Sequence, residues 1–108
     1  MHKFVVLYYR VDDETALEEF FSGTHVPLMD KLPGLAAVEI SRVGGQPLGQ
    51  SRFHLVVEAY FADRAALAAG LASEPGIALM NALRPWAEER LIAWYYADAF
   101  HEERPRAS

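Results

Sequence analysis

The chain has 108 residues, a formal net charge of −5 and 52% hydrophobic residues, which suits one domain with one core. It contains no cysteine, so disulfides and thiolate chemistry are excluded. The acidic balance, without a stripe of lysine and arginine, argues against nucleic-acid binding, which depends on neutralising phosphates. No apolar run approaches the roughly 20 residues that a membrane span needs, and the N-terminus lacks the features of a signal peptide. We therefore expect a cytoplasmic protein with no membrane contact.

The first segments predict a strand followed by a helix. Residues 4–10 are almost continuously β-branched or aromatic, which is typical of a central strand covered on both faces. Asp12 and Asp13 are suited to cap the helix that follows, which we expect to end at about Gly23. Its core-facing stripe has the helical i, i+3, i+4 spacing and consists of Leu17, Phe20 and Phe21.

His25 lies where apolar packing is otherwise expected. Pro27 lacks an N–H and would clash with the carbonyl of Gly23 in a continuous helix, so we expect a kink or restart near His25 and looser packing of its imidazole. Histidine exchanges protons near cellular pH, which makes His25 the best candidate for general acid/base catalysis. Asp30 is a second catalytic candidate that is suited to orient the imidazole. The alternative for His25 is a structural histidine bonded to a backbone carbonyl.

The middle of the chain predicts two more strands. Pro33 and Gly34 signal a turn, after which residues 35–43 favour a strand. Residues 44–49 are rich in glycine and predict an extended loop, and residues 52–61 predict the third strand. By alternation, one face of that strand meets the helices and consists of Phe53, Leu55, Val57, Ala59 and Phe61. The other face consists of His54, Val56, Glu58 and Tyr60.

The last segments predict a helix, short helical pieces and a strand. Asp63 is suited to cap an alanine-rich helix over residues 64–72. Pro75 and Pro85 each fit the first turn of a helix, so we expect residues 73–90 to form short pieces. Their inward side chains are predicted to be Ile77, Met80, Leu83 and Trp86. Residues 91–97 predict the fourth strand, which completes a domain over residues 1–98, and residues 99–108 are predicted to form a disordered tail.

The order β-α-β-β-α-β predicts an α+β protein with a ferredoxin-like fold, in which two helical regions cover one face of a four-stranded antiparallel sheet. If Tyr8, Tyr60, Trp94 and Tyr96 lie on the open face, four rings of roughly 150 Å² each would expose on the order of 600 Å², the upper limit for a monomer. We therefore predict a homodimer through the sheet faces. Two polar side chains are candidates for contacts across this dimer interface, called the seam: His54 and Glu58. The alternative is that the rings cover one another or lie under the tail.

Several motifs of this chain resemble the EthD family over residues 3–98. They are the leading strand FVVLYYR, H-V-P-L from His25, L-P-G-L from Leu32, the aromatic pair before Ala62, and S-E-P-G from Ser73. EthD-like proteins belong to the dimeric α+β barrel superfamily, so the resemblance implies two ferredoxin-like protomers whose sheets form a barrel. It also implies that His25 lies in a cleft between helices and sheet.

The function that this resemblance implies is binding of a small apolar cyclic or aromatic molecule in that cleft. The candidate lining residues are Tyr9, Phe21, Leu28, Val38, Val57, Ala59 and Trp86. One hypothesis is a cofactor-free isomerase, cyclase, decarboxylase or monooxygenase with His25 as acid/base. Val38 and Ala59 are apolar where an isomerase of this superfamily has a tyrosine and a cysteine, so the reaction type stays open. The other hypothesis is a non-catalytic binding or carrier protein.

The sequence predicts no metal site and no cofactor. Its four histidines, at positions 2, 25, 54 and 101, lack the spacing that places two ligands on one element. Gly44 and Gly45 lack the lysine and helix of a phosphate-binding loop. Relatives in the superfamily hold haem through a single histidine, but nothing else in this sequence indicates haem.

Overall fold

A computed structural model describes residues 1–105 and has helices packed on one face of a four-stranded antiparallel sheet, which confirms the predicted fold class. The elements are β1 (His2–Tyr9), α1 (Glu14–Phe20), a π-helical turn (Phe21–His25), α2 (Val26–Asp30), β2 (Leu35–Arg42), β3 (Phe53–Phe61), α3 (Arg64–Ala72), α4 (Glu74–Glu88) and β4 (Ile92–Asp98). The strand order is β2-β3-β1-β4, so β1 and β3 are central. Residues 99–105 form no helix or strand, and the last three residues of the predicted tail lie outside the described part.

The first helical region does not end at Gly23, as the sequence predicted. Asp13 caps α1 by accepting a hydrogen bond from the Ala16 amide at 2.9 Å, as expected. The helical path then continues through the π-helical turn, whose wider i→i+5 bond runs from the Val26 amide to the Phe21 carbonyl. The π-helical turn ends before Pro27, which therefore lies in the first turn of α2, where its missing N–H is tolerated. The helix bulges instead of stopping.

The stretch from Ser73 to Arg90 is also more regular than predicted. It forms one continuous helix of 15 residues, α4, with Pro75 in its first turn and Pro85 inside it. Pro85 lies close to the C-terminal end, so few residues depend on the bond it cannot make. Ile77 is 52% exposed, which contradicts its predicted inward position, and the buried apolar side chains of α4 are Leu79 and Leu83.

Residues Phe53 and His54 lie on the faces opposite to those predicted. A β-bulge in β3 pairs Tyr8 with Leu55 but Tyr9 with Phe53, which leaves His54 as the extra residue. Phe53 therefore stacks on Tyr9, at 5.1 Å between ring centroids. His54 points to the helices instead of across a seam, and its Nε2 lies 2.7 Å from Glu18 of α1.

The face of the sheet that carries no helices, here called the open face, holds a different set of aromatic rings from the predicted one. Three of the four predicted rings face the helices, because they lie level with core residues of the neighbouring strands: Tyr8, Trp94 and Tyr96. Tyr60 is on the open face as predicted, together with Tyr95, which pairs with Val5. Near them the Lys3 ammonium donates to Glu58 at 2.8 Å, so Glu58 is paired within its own chain.

Within residues 1–105 no single helix is long and apolar enough to cross a membrane. Helices α3 and α4 satisfy that length and composition only as a pair, which is bent by 80°.

Candidate functional site

The π-helical turn directs His25 into the core, where its imidazole meets Tyr8 of β1. Both side chains are almost fully buried, with 1% and 0% exposure. The Tyr8 hydroxyl lies 2.5 Å from His25 Nδ1. The expectation of a loosely packed imidazole is therefore wrong, because the helix continues past Gly23 and the ring has a hydrogen-bond partner under it. We call His25 and Tyr8 the buried dyad.

Burial keeps both members of the buried dyad neutral. It lowers the pKa of His25 from 6.5 to about 4, since the apolar surroundings penalise the imidazolium. The same desolvation raises the pKa of the Tyr8 hydroxyl. At neutral pH the dyad is therefore a phenol hydrogen-bonded to an uncharged imidazole.

The hydrogen bond also determines which nitrogen of His25 carries the proton. Within residues 1–105 the Tyr8 hydroxyl has no partner other than Nδ1, so its buried O–H must donate to that nitrogen. A neutral imidazole that accepts at Nδ1 carries its hydrogen on Nε2. The structure thus assigns His25 as the Nε2–H tautomer.

The Nε2–H group carries the remaining hydrogen of the buried dyad. It has no hydrogen-bond partner among residues 1–105, yet no side-chain nitrogen or oxygen that is fully buried in this range lacks one. Nε2 is therefore not fully enclosed and keeps a small accessible area. An N–H donor in this position suits a carbonyl or anionic oxygen of an apolar molecule.

Aromatic rings surround the buried dyad. Phe21 lies edge-on to both rings, at 6.1 Å from Tyr8 and 5.4 Å from His25 between centroids. Trp86 of α4 meets the Tyr8 ring edge-on at 5.7 Å and lies against Phe20 at 4.8 Å. Phe20 and Trp86 are only partly buried, so they form the outer edge of this aromatic cluster.

The other predicted site residues are more scattered. Val57 and Ala59 are buried in the packed core, and Val38 packs against it. Leu28 lines a small outer cavity between α2 and the start of α4. Tyr9 lies on the open face with Phe53, away from His25. Asp30 is exposed at the end of α2 and makes no hydrogen bond to the imidazole.

A second polar cluster ties α1 to the sheet beside the dyad. Arg42 donates to Glu18 at 2.7 Å, and His54 bonds the same carboxylate. These two hydrogen bonds, that of Arg42 first, hold the pKa of Glu18 down to about 2. Among residues 1–105 no group of three or more histidine, aspartate or glutamate side chains is placed to hold a metal ion.

Comparison with known proteins identifies the family through structure. No protein-family model matches the chain, and no curated protein sequence does. A solved ethyl tert-butyl ether D (EthD) family protein from Bacillus halodurans C-125 is 30% identical, covers 93% of this chain and 99% of its own, and superposes with a TM-score of 0.85. The chain belongs to the EthD family.

Other solved structures share the fold of this EthD protein at low identity. A DABB family protein from Mesorhizobium loti with a ferredoxin-like fold has a TM-score of 0.65 at 14% identity and covers 93% of this chain and 97% of its own. A dimeric ferredoxin-like protein of unknown function from Thermobifida fusca has a TM-score of 0.63 at 13% identity, with 91% and 90% coverage. At these identities the likeness shows the fold alone.

Proposed function

We propose that this EthD protein binds a small apolar cyclic or aromatic molecule that carries a hydrogen-bond-accepting oxygen, and that the Nε2–H of His25 holds that oxygen. The observation that carries this proposal is the buried dyad. Its imidazole is kept neutral by burial and fixed in one tautomer by Tyr8, and its remaining donor has no partner among residues 1–105. A donor fixed in an apolar site is typical of small-molecule recognition.

The dyad favours hydrogen-bond donation over proton transfer. In this tautomer Nε2 already carries a hydrogen and cannot accept a proton, and protonation of the ring at Nδ1 would form an imidazolium, which burial disfavours. To act as an acid with Tyr8 replacing the lost proton, it would leave a buried phenolate, which burial also disfavours. A fixed neutral imidazole can instead polarise a carbonyl or stabilise an enolate oxygen. Binding or carriage is therefore the first function, and polarisation of a bound carbonyl is the catalytic extension.

The protein is also proposed to be a homodimer that is joined through the open face. Tyr95 is 47% exposed there, beside Tyr60 and the apolar side chains of Val56 and Leu7. The dimeric ferredoxin-like protein from Thermobifida fusca shares this fold. Pairing the open faces of two copies would leave the dyad free, because His25 lies on the opposite, helical side of the sheet.

Binding of 1-tetralone, an apolar bicyclic ketone, tests the role of His25. The control ligand is tetralin, which has the same rings but no oxygen. In titration calorimetry we expect the native protein to prefer the ketone by about twofold to tenfold, the range for one net hydrogen bond. The double variant Tyr8→Phe/His25→Leu removes both members of the dyad, so no polar group is left unpaired in the core. It should bind both ligands equally.

The matched control for this experiment is His54→Leu, which removes a partly buried histidine outside the dyad. It should keep the preference for the ketone. Persistence of that preference in the double variant, or equal binding of ketone and hydrocarbon by the native protein, would refute a ligand-binding role for Nε2–H.

A further inference from the structure

A cavity of about 820 Å³ opens on the helical side of the sheet, where α3 and α4 meet the end of β4. We call it the α3–β4 cavity. This volume is within the range of small-molecule sites. Its apolar lining consists of Leu67, Ala68, Leu71, Ala72, Met80 and Tyr96. A second cavity of about 360 Å³ shares Met80 and Tyr96 with it and continues along β4 to Trp94.

The α3–β4 cavity exists because the chain fills this corner with small side chains. Helix α3 has the sequence RAALAAGLA, so its outer surface offers methyl groups where longer side chains would close the gap. Tyr96 remains 54% exposed although it faces the helices. The apolar floor of the cavity is therefore open to a ligand with a flat or extended apolar body.

The charged groups of the α3–β4 cavity favour an anion. Arg64 at the start of α3 and Arg84 of α4 both line it, and neither makes an ion pair within residues 1–105. Among residues 1–105, the one carboxylate in the lining belongs to Asp98, which is hydrogen-bonded to His2 at 2.6 Å. Two unpaired guanidinium groups beside an apolar surface thus occur in a chain whose net charge is −5.

The α3–β4 cavity is separate from the buried dyad. His2 lines the cavity and Tyr8 belongs to the dyad, and the six residue steps from one to the other along β1 span roughly 20 Å. Neither His25 nor Tyr8 lines the cavity or its extension. A ligand in the cavity would not depend on Nε2–H.

We propose that the α3–β4 cavity is a binding site for an amphipathic organic carboxylate, whose apolar body lies on Tyr96 and Met80 and whose carboxylate is held by Arg64 and Arg84. Guanidinium groups pair with carboxylates through charge-assisted hydrogen bonds, often two at once. The apolar floor supplies the remaining affinity by removing the ligand's hydrocarbon surface from water.

The test uses 2-naphthoate and its neutral counterpart 2-naphthalenemethanol as probes, with binding measured by calorimetry at neutral pH. The native protein should prefer the carboxylate. In the double variant Arg64→Gln/Arg84→Gln, affinity for 2-naphthoate should fall about tenfold or more, while that for 2-naphthalenemethanol should stay unchanged. Arg52→Gln is the matched control, because it removes an exposed arginine outside the cavity. It should leave both affinities unchanged.

A second variant tests the location without altering charge. Ala68 is exposed and lines the α3–β4 cavity, so Ala68→Phe should fill it and abolish binding of both probes without disturbing the core. The proposal is overturned if the native protein does not bind 2-naphthoate, or if the arginine variant binds it as well as the native protein does. It is equally overturned if Ala68→Phe leaves binding intact, or if it instead dissociates an oligomer, since a second copy would then occupy the cavity. Loss of ketone preference at the buried dyad would not affect these outcomes.

Discussion

His25 and Tyr8 show how one hydrogen bond determines the chemistry of a buried polar residue. An unpaired imidazole in this core would cost free energy through desolvation, and the Tyr8 hydroxyl offsets that cost only for the neutral ring. The dyad therefore selects both the charge state and the tautomer of His25. That selection should be visible in the pH dependence of stability.

The buried dyad predicts that stability falls as pH drops through the weakly acidic range. The unfolded chain protonates His25 near pH 6.5, whereas the folded protein resists protonation until about pH 4. Because the unfolded state binds more protons between these values, the free energy of unfolding should decrease there by up to about 1.4 kcal/mol per pH unit. Above the unfolded pKa this contribution is fully present. Denaturant unfolding at a series of pH values measures the slope.

The range from pH 6.5 to 4.5 separates the effect of His25 on stability from that of Glu18. Glu18 has a pKa lowered from 4.5 to about 2, so its contribution to stability is lost only below 4.5. Tyr8→Phe/His25→Leu should remove the His25 part of the slope, and His54→Leu should retain it. Parallel slopes for the native protein and the double variant would show that His25 protonates equally in the folded and unfolded states.

Two glycines show how the helical elements depend on backbone contact. The start of α4 packs on α3 so closely that a Cβ at Gly76 would collide with the Gly70 carbonyl and lie 2.6 Å from Leu71 Cα. Gly23, in the exposed part of the π-helical turn, has no atom within 4 Å of its Cβ position. Small size is therefore required at Gly76 but not at Gly23.

Alanine at these two positions should have opposite effects. We expect Gly76→Ala to lower the free energy of unfolding by about 1–3 kcal/mol through overpacking. Gly23→Ala should raise it by roughly 0.4–1 kcal/mol, because alanine restricts the unfolded chain without strain in the helix. Thermal and denaturant unfolding of both variants measure the two changes. Equal destabilisation would mean that the π-helical turn limits substitution as much as the α3–α4 contact does.

The element order and most strand and helix boundaries were predictable because each segment carries a local signal. Asp13 and Asp63 cap helices α1 and α3, and Pro75 begins α4.

The faces of the sheet were harder to predict. In β1 the side chains on both faces of the sheet are apolar, so the alternation of polar and apolar residues could not show that Tyr8 points to His25. The bulge at His54 reverses its own side and that of Phe53, and it has no marker such as glycine. The residue that pairs with the predicted site histidine was therefore missed.

At the scale of the whole molecule, the proposed dimer depends on the open face. Its paired Lys3 and Glu58 leave no net charge at their own position, and Tyr95 and Tyr60 present aromatic surface beside them. Aromatic rings at the centre of an interface are the side chains whose loss costs most affinity. A second copy that packs sheet against sheet would cover them.

The neighbouring residues Tyr95 and Tyr96 provide a matched test of this dimer. They have similar exposure, 47% and 54%, but Tyr95 lies on the open face and Tyr96 on the helical face. Tyr95→Lys places a charge in the proposed interface and should weaken dimerisation at least about tenfold, whereas Tyr96→Lys should leave it unchanged. Analytical ultracentrifugation over a micromolar concentration range measures both. A native protein that stays monomeric over that range would refute the dimer, and dissociation by Tyr96→Lys alone would move the interface to the helical face, where the α3–β4 cavity opens.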